Sequence, residues 1–231
     1  MVIEVILKKG QCPWVSQLHQ LPGKVLFHCG KLNLATAIKI AVSSTKFQFF
    51  KLKEVTMRYK HIDGVDVTAQ FSHEGESRYR NRLEITLKGA VPTGKTVCTV
   101  MQNPSYAGED VADKSVQFLE KVVFKKGLPE FDGVRRLIVV NQFAYIQTND
   151  FEGLPHQIGE LNDAAIKAAL NESDIVVLAW GSSNRFGARK AFVHGLLDGM
   201  KHKMLLKTKM HPSRGRYDGF IQPLTMASLG L

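Results

Sequence analysis

The chain has 231 residues, 44% of them hydrophobic, and a formal charge of +10 at pH 7. Such a length and apolar content describe a globular protein with a real core, either one large domain or a core with an extension. No apolar stretch approaches a membrane span, and Cys12, Cys29 and Cys98 fit neither a disulfide framework nor a zinc pattern, so no membrane and no metal are expected.

In chain order, residues 1–76 read as a mostly β module. Strand patterns cover 2–7 and 24–28, and 34–42 suits a short helix. Residues 47–59 and 65–71 alternate around His61-Ile62-Asp63-Gly64, where Asp-Gly is a hairpin signal. Residues 72–77 have the composition of a linker. The N-terminus lacks the basic start and cleavage site of a signal peptide, so the expected compartment is the cytoplasm.

From Arg78 the texture becomes alternating strand and helix. Apolar runs at 83–87, 97–101, 137–140, 175–180 and 203–206 read as strands. Helical spacing marks 112–124, 159–170 and 188–200. The alternation predicts an α/β domain over 77–231, a three-layer α/β/α arrangement around a central parallel four-stranded sheet.

Gly89-Ala90-Val91-Pro92-Thr93-Gly94-Lys95-Thr96 fits the phosphate-loop pattern letter for letter. That chemistry needs a helix beginning at the lysine. Here a strand sequence, Val97-Cys98-Thr99-Val100, follows, so the segment reads as a turn between strands.

Polar residues stand at the ends of four apolar runs. Gln102-Asn103-Pro104-Ser105, Asn141-Gln142, Trp180-Gly181 and His211-Pro212-Ser213 come in that order. If the runs are parallel neighbours, these tips gather at the carboxyl edge of one sheet, where open α/β sheets bind ligands. Asn103 and Asn141 could equally cap turns after strands.

The charge is uneven. Between Arg185 and Arg216 there are nine basic residues and one acid, Asp198. A basic stretch beside a polar site suggests a polyanion, most simply nucleic acid; the alternative is a solvated surface. Arg78, Arg80 and Arg82 read as a phosphate-tracking row or a polar face. His28, His61, His73 and His156 have no metal spacing and read as surface residues.

The four motifs together resemble the uracil-DNA glycosylase superfamily over roughly residues 78–225. Within that span the sequence is similar to an uncharacterised bacterial and phage family with Asn-Pro-Ser, Asn-Gln-Phe, Ala-Trp-Gly and His-Pro motifs. The resemblance implies a uracil-DNA glycosylase-like fold and an enzyme, without cofactor, that flips a pyrimidine out of DNA, duplex or single-stranded. Asn103 would orient water and His211 would stabilise charge on the departing base. Asn141 would read the base edge and Phe118 would stack on it, with Ser105 and Tyr106 beside it. Pro104, Ser213, Arg214, Arg216, Arg185 and Lys209 would hold the DNA backbone.

Three departures qualify the implied activity. Asn103 stands where the best-known branch has Asp, so it positions water without taking a proton. Ser105 replaces a Tyr that excludes 5-substituents. Arg214-Gly215-Arg216 stands where a Leu normally wedges into the stack. The expected substrate is therefore a thymine-like or 5-substituted pyrimidine. Two alternatives follow: a phage-type transferase acting on the 5-substituent of a pyrimidine in DNA, and a catalytically silent DNA-binding protein. Asp110 or Asp113 either caps the helix that follows or acts as the missing general base.

Overall fold

The computed structural model describes residues 59–89, 93–181, 185–200 and 202–225, all within one compact unit, Val55–Leu231. The readings for residues 1–58, including Cys12, Cys29 and His28, lie outside the described residues. Strand β1 (Val65–Glu74) pairs antiparallel with β2 (Ser77–Leu87) along its whole length. Gly75, with φ of +59°, forms the tip, a conformation glycine takes without steric cost. The 72–77 segment is thus a hairpin turn and not a linker. The boundary expected at 76/77 cuts a single ribbon.

The next elements follow the predicted alternation: β3 (Lys95–Met101), α1 (Lys114–Phe124), β4 (Val134–Asn141), α2 (Asn162–Glu172), β5 (Ile175–Leu178), α3 (Gly187–Asp198) and β6 (Met204–Thr208); β7 (Ile221–Pro223) is an additional strand that the pattern does not predict. They build an α/β fold on one seven-stranded sheet of order β1-β2-β4-β3-β5-β6-β7. The sheet is mixed. The β4–β3, β3–β5 and β5–β6 pairs are parallel, while β1–β2, β2–β4 and β6–β7 are antiparallel and contribute more of the paired residues. The expected four neighbouring parallel strands are present as β4-β3-β5-β6, but they lie inside a mixed seven-stranded sheet and do not make up the sheet alone. The long β1–β2 ribbon returns alongside β4, and β7 closes the far edge.

Alternate strand residues face opposite ways, and here both faces are covered. Val97, Leu137, Val139, Ile175 and Val177 pack with Val116, Leu119, Val122 and Val123 of α1. Cys98, Val100, Ile138, Val140, Val176 and Leu178 pack with Ile166 and Leu170 of α2 and with Val193 and Leu197 of α3. Burial on both sides is why these strands are continuous apolar runs. Cys98 is a buried free thiol whose pKa is pushed up to about 12 by that burial. Among the described residues no helix is long and apolar enough to cross a membrane.

Lys95 and Thr96 open β3 and not a helix. The Lys95 Nζ donates to the Asp132 carbonyl at 2.9 Å. Its ammonium is spent on the adjacent turn, and no helix N-terminus stands behind it. The phosphate-loop letters are coincidental.

The arginine row is also not a phosphate track. Arg78 lies over the Phe71 ring, 4.1 Å from its centroid. Arg80 is fully buried. Arg82 pairs with Glu84 at 2.6 Å and with Glu172 at 2.8 Å, and Arg136 joins the same two carboxylates. The network ties β2 and β4 to the end of α2.

His61, expected on the surface, is instead a half-buried clamp. Its Nδ1 contacts the Glu120 carboxylate and its Nε2 donates to the Gly108 carbonyl at 2.8 Å. Ile62 N–H donates to the same carboxylate at 3.0 Å. Both ring nitrogens face acceptors, which requires the imidazolium. Burial alone would lower the His61 pKa, but Glu120 and the Gly108 carbonyl outweigh it and raise the pKa above 6.5. A raised folded-state pKa gives stability that is complete below pH 6.5 and is lost as pH rises through the folded value. Urea unfolding should therefore show the wild type losing stability over that interval, while His61→Gln shows no such slope. Parallel pH profiles for the two proteins would contradict the clamp.

Candidate functional site

The connection from β3 places β4 on one side of it, and the next parallel strand, β5, lies on the other. At such a switch the loops leave in opposite directions and open a crevice at the carboxyl ends of the strands. A cavity of about 470 Å³ lies there. Met101, Gln102 and Asn103 line it from the end of β3, Trp180 from the end of β5, and His211 and Ser213 from the segment after β6. Ser105, Asp113 and Lys114, from the loop into α1, close one side, and Gln147 and Thr148 follow from the segment after β4. Lys114, Arg185 and Arg214 give the lining a positive balance against one carboxylate, Asp113.

His211 is held by its own loop. Its Nδ1 accepts from Ser213 N–H at 3.2 Å and lies 2.9 Å from Ser213 Oγ. A nitrogen that accepts a backbone N–H carries no proton, so the neutral ring is protonated at Nε2. Burial lowers the His211 pKa below 6.5; Asp113 works against that shift and Arg214 with it. The side chain is therefore a neutral imidazole at pH 7 that offers an Nε2–H donor. Gly181 makes the position possible. It has φ of +76°, and a Cβ there would lie 2.8 Å from the His211 backbone nitrogen. The Ala-Trp-Gly ending of β5 is thus a seat for the histidine loop.

Asp113 does two things at once. One oxygen caps α1 by accepting from Val116 N–H at 2.8 Å, and the other accepts from Ser105 O–H at 2.5 Å. The side chain of Asn103 is spent on its own loop. Its Nδ2 donates to the carbonyls of Gln147 at 2.7 Å and Pro104 at 3.2 Å, and its Oδ1 accepts from Gln102 at 3.3 Å.

Of the residues singled out from sequence, the cavity gathers Asn103, Ser105, Tyr106, His211, Ser213, Arg214 and Arg185. Five others lie outside its lining. Asn141 is fully buried on the strand beside Met101 and is not part of the lining. Its Oδ1 accepts from the buried Arg80 guanidinium at 3.2 Å, and its Nδ2 has no partner among the described residues. Phe118 is also outside the lining. It stacks on Tyr217 with ring centroids 4.9 Å apart, meets Phe220 edge-on and packs over Gly215, because the face of α1 that carries it turns toward the C-terminal loop. Pro104 is buried, and its carbonyl accepts from Gln147 N–H at 3.1 Å. Lys209 and Arg216 line a neighbouring depression that shares Arg214 with the main cavity.

Sequence reading passed over Gln147, Thr148 and Lys114, which no local signal marks. It weighed Asp113 as a cap or a base, and the structure makes it a cap that also faces the cavity. Arg80, in a row whose sequence suits a phosphate track or a polar face, is fully buried beneath the site.

Residues 81–214, more than half of the chain, match a family whose description is "Protein of unknown function (DUF1643)". No curated protein and no solved structure matches the chain.

Proposed function

The chain belongs to the DUF1643 family, whose description assigns no activity, and from the site itself we propose a DNA-base-processing enzyme related to the uracil-DNA glycosylases. It would act in the cytoplasm on a thymine-like or 5-substituted pyrimidine flipped out of DNA. One observation carries this reading: Asn103 and Ser105, from the loop after β3, and His211, from the segment after β6, line one cavity at the sheet's switch point. The volume of that cavity, about 470 Å³, suits a nucleobase with part of its sugar.

The groups present suit such chemistry. Cleaving a glycosidic bond leaves negative charge on the base. A neutral His211 with its proton at Nε2 stabilises that charge by donating to it, without first giving up a proton of its own. Lys114, Arg185 and Arg214 offer cations to the phosphates on either side of a flipped nucleotide. Lys209 and Arg216 extend the same charge beyond Arg214. Ser105 leaves room beside the base where a larger side chain would exclude a 5-substituent. That room equally serves the second reading, a transferase acting on the 5-substituent. The Gln147 amide is spent on its own loop, its Nε2 donating to the Asp150 carbonyl at 3.2 Å and its Oε1 accepting from Gln157 at 2.8 Å, so base reading falls to the lining amide of Gln102.

The test uses oligonucleotides carrying uracil, a mismatched thymine or 5-hydroxymethyluracil, single-stranded and duplex, with alkaline cleavage to reveal abasic sites. Base release supports glycosylase action. Preferential binding of one modified base without release overturns it in favour of the transferase. Binding no better than to an unrelated polyanion rejects both enzymes.

A further inference from the structure

Building on that reading, we infer that Asp113 is the catalytic base of the cavity, in place of Asn103. Three observations converge on it. Asp113 is the one carboxylate among the described residues that line the cavity. It stays 7% exposed while its second oxygen is reached by the Ser105 hydroxyl at 2.5 Å. Finally, Asn103 has both amide hydrogens committed to the carbonyls of Gln147 and Pro104, and an amide cannot accept a proton at neutral pH.

The step balances with water as the only co-reactant. A water molecule lies against the sugar carbon and gives one proton to the Asp113 carboxylate as its oxygen bonds to that carbon. The bond from sugar carbon to base nitrogen breaks, and its electron pair leaves with the base. The resulting anion is held by the His211 Nε2–H until the proton on Asp113 returns to it through solvent. Asn103 Oδ1 retains a lone pair that can accept the second hydrogen of the water. Ser105 is a positioning residue: its hydroxyl fixes the carboxylate in the rotamer that the helix cap also requires.

Asp113→Asn separates the roles. Asparagine caps a helix as well as aspartate does and still accepts from Val116 N–H, but it takes no proton. Single-turnover base release should fall by about 10²–10⁴-fold, the range of a lost general base, with DNA affinity close to wild type and a lower unfolding midpoint, because the buried Arg80 loses its compensating charge. Ser105→Ala should lose roughly tenfold, because the carboxylate remains. If Asp113→Asn does not fold, Asp113→Ser, which also caps, is read in the same way. Base release within threefold of wild type in a folded Asp113 variant overturns the assignment while leaving the parent reading intact. If the wild type releases no base from any of the oligonucleotides, the parent reading fails and the assignment falls with it.

Discussion

Replacing His211 with alanine should lower base release by about 10²–10³-fold, the usual cost of one lost donor to a developing anion, with little change in DNA affinity. The reason is geometric. Nδ1 is occupied by the Ser213 backbone N–H, so the ring's only proton is on Nε2, and burial keeps the ring neutral at pH 7. The same arrangement sets a pH dependence. A second proton would have to go to Nδ1, where it breaks the bond from Ser213. Because the pKa is lowered, activity should hold down to below pH 6.5 and then fall. Asp113 and Arg214 are the charges that act on this titration, in opposite directions. Single-turnover kinetics across pH on wild type and His211→Ala would check it. An alanine variant with unchanged rate shows that the donor plays no part in the chemistry.

The second large effect is on folding. Arg80 is a fully buried guanidinium whose pKa is pushed down to about 10 by loss of water, with Asp113 as the compensating charge. It donates to the Ala107 carbonyl at 2.9 Å and to Asn141 at 3.2 Å. It therefore fastens the loop carrying Ser105 and Asp113 to the end of β4. Arg80→Met removes the charge and leaves two buried acceptors unpaired. A cost of about 3 kcal/mol is expected, since hydrogen bonds to charged groups contribute more than neutral ones. In urea this is a midpoint lowered by roughly 1 M at the slopes typical of small proteins. Arg80→Lys should recover little, because an ammonium lacks the planar fork that reaches both partners. A stability loss below about 1 kcal/mol in Arg80→Met would mean the buried arginine is compensated in another way.

The linear order of residues was enough to locate β3 to β6 and the three helices within a few residues, but it showed only the second half of β2 and no β7. Runs such as Val97–Met101 and Leu137–Val140 are apolar throughout because both faces of the sheet are covered, and α1 shows the helical repeat in Val116, Leu119 and Val123. It also placed Asn103 and His211 at strand ends, since a polar residue directly after a buried run marks where the chain leaves the core.

Pairing and burial were decided only in three dimensions. That β2 runs antiparallel beside β4 depends on contacts between distant segments, which no local pattern encodes. Arg80, Arg82 and His61 look like surface residues in one dimension because charged groups are buried only with partners. Those partners lie 61, 90 and 59 residues away. Asn141 looked equivalent to Asn103, yet it is still inside the strand and its side chain is sealed against Arg80, whereas Asn103 is already in the loop that lines the cavity. Phe118 went to the aromatic cluster with Tyr217 and Phe220 because helix rotation about the sheet, set by packing, chooses which face meets which neighbour.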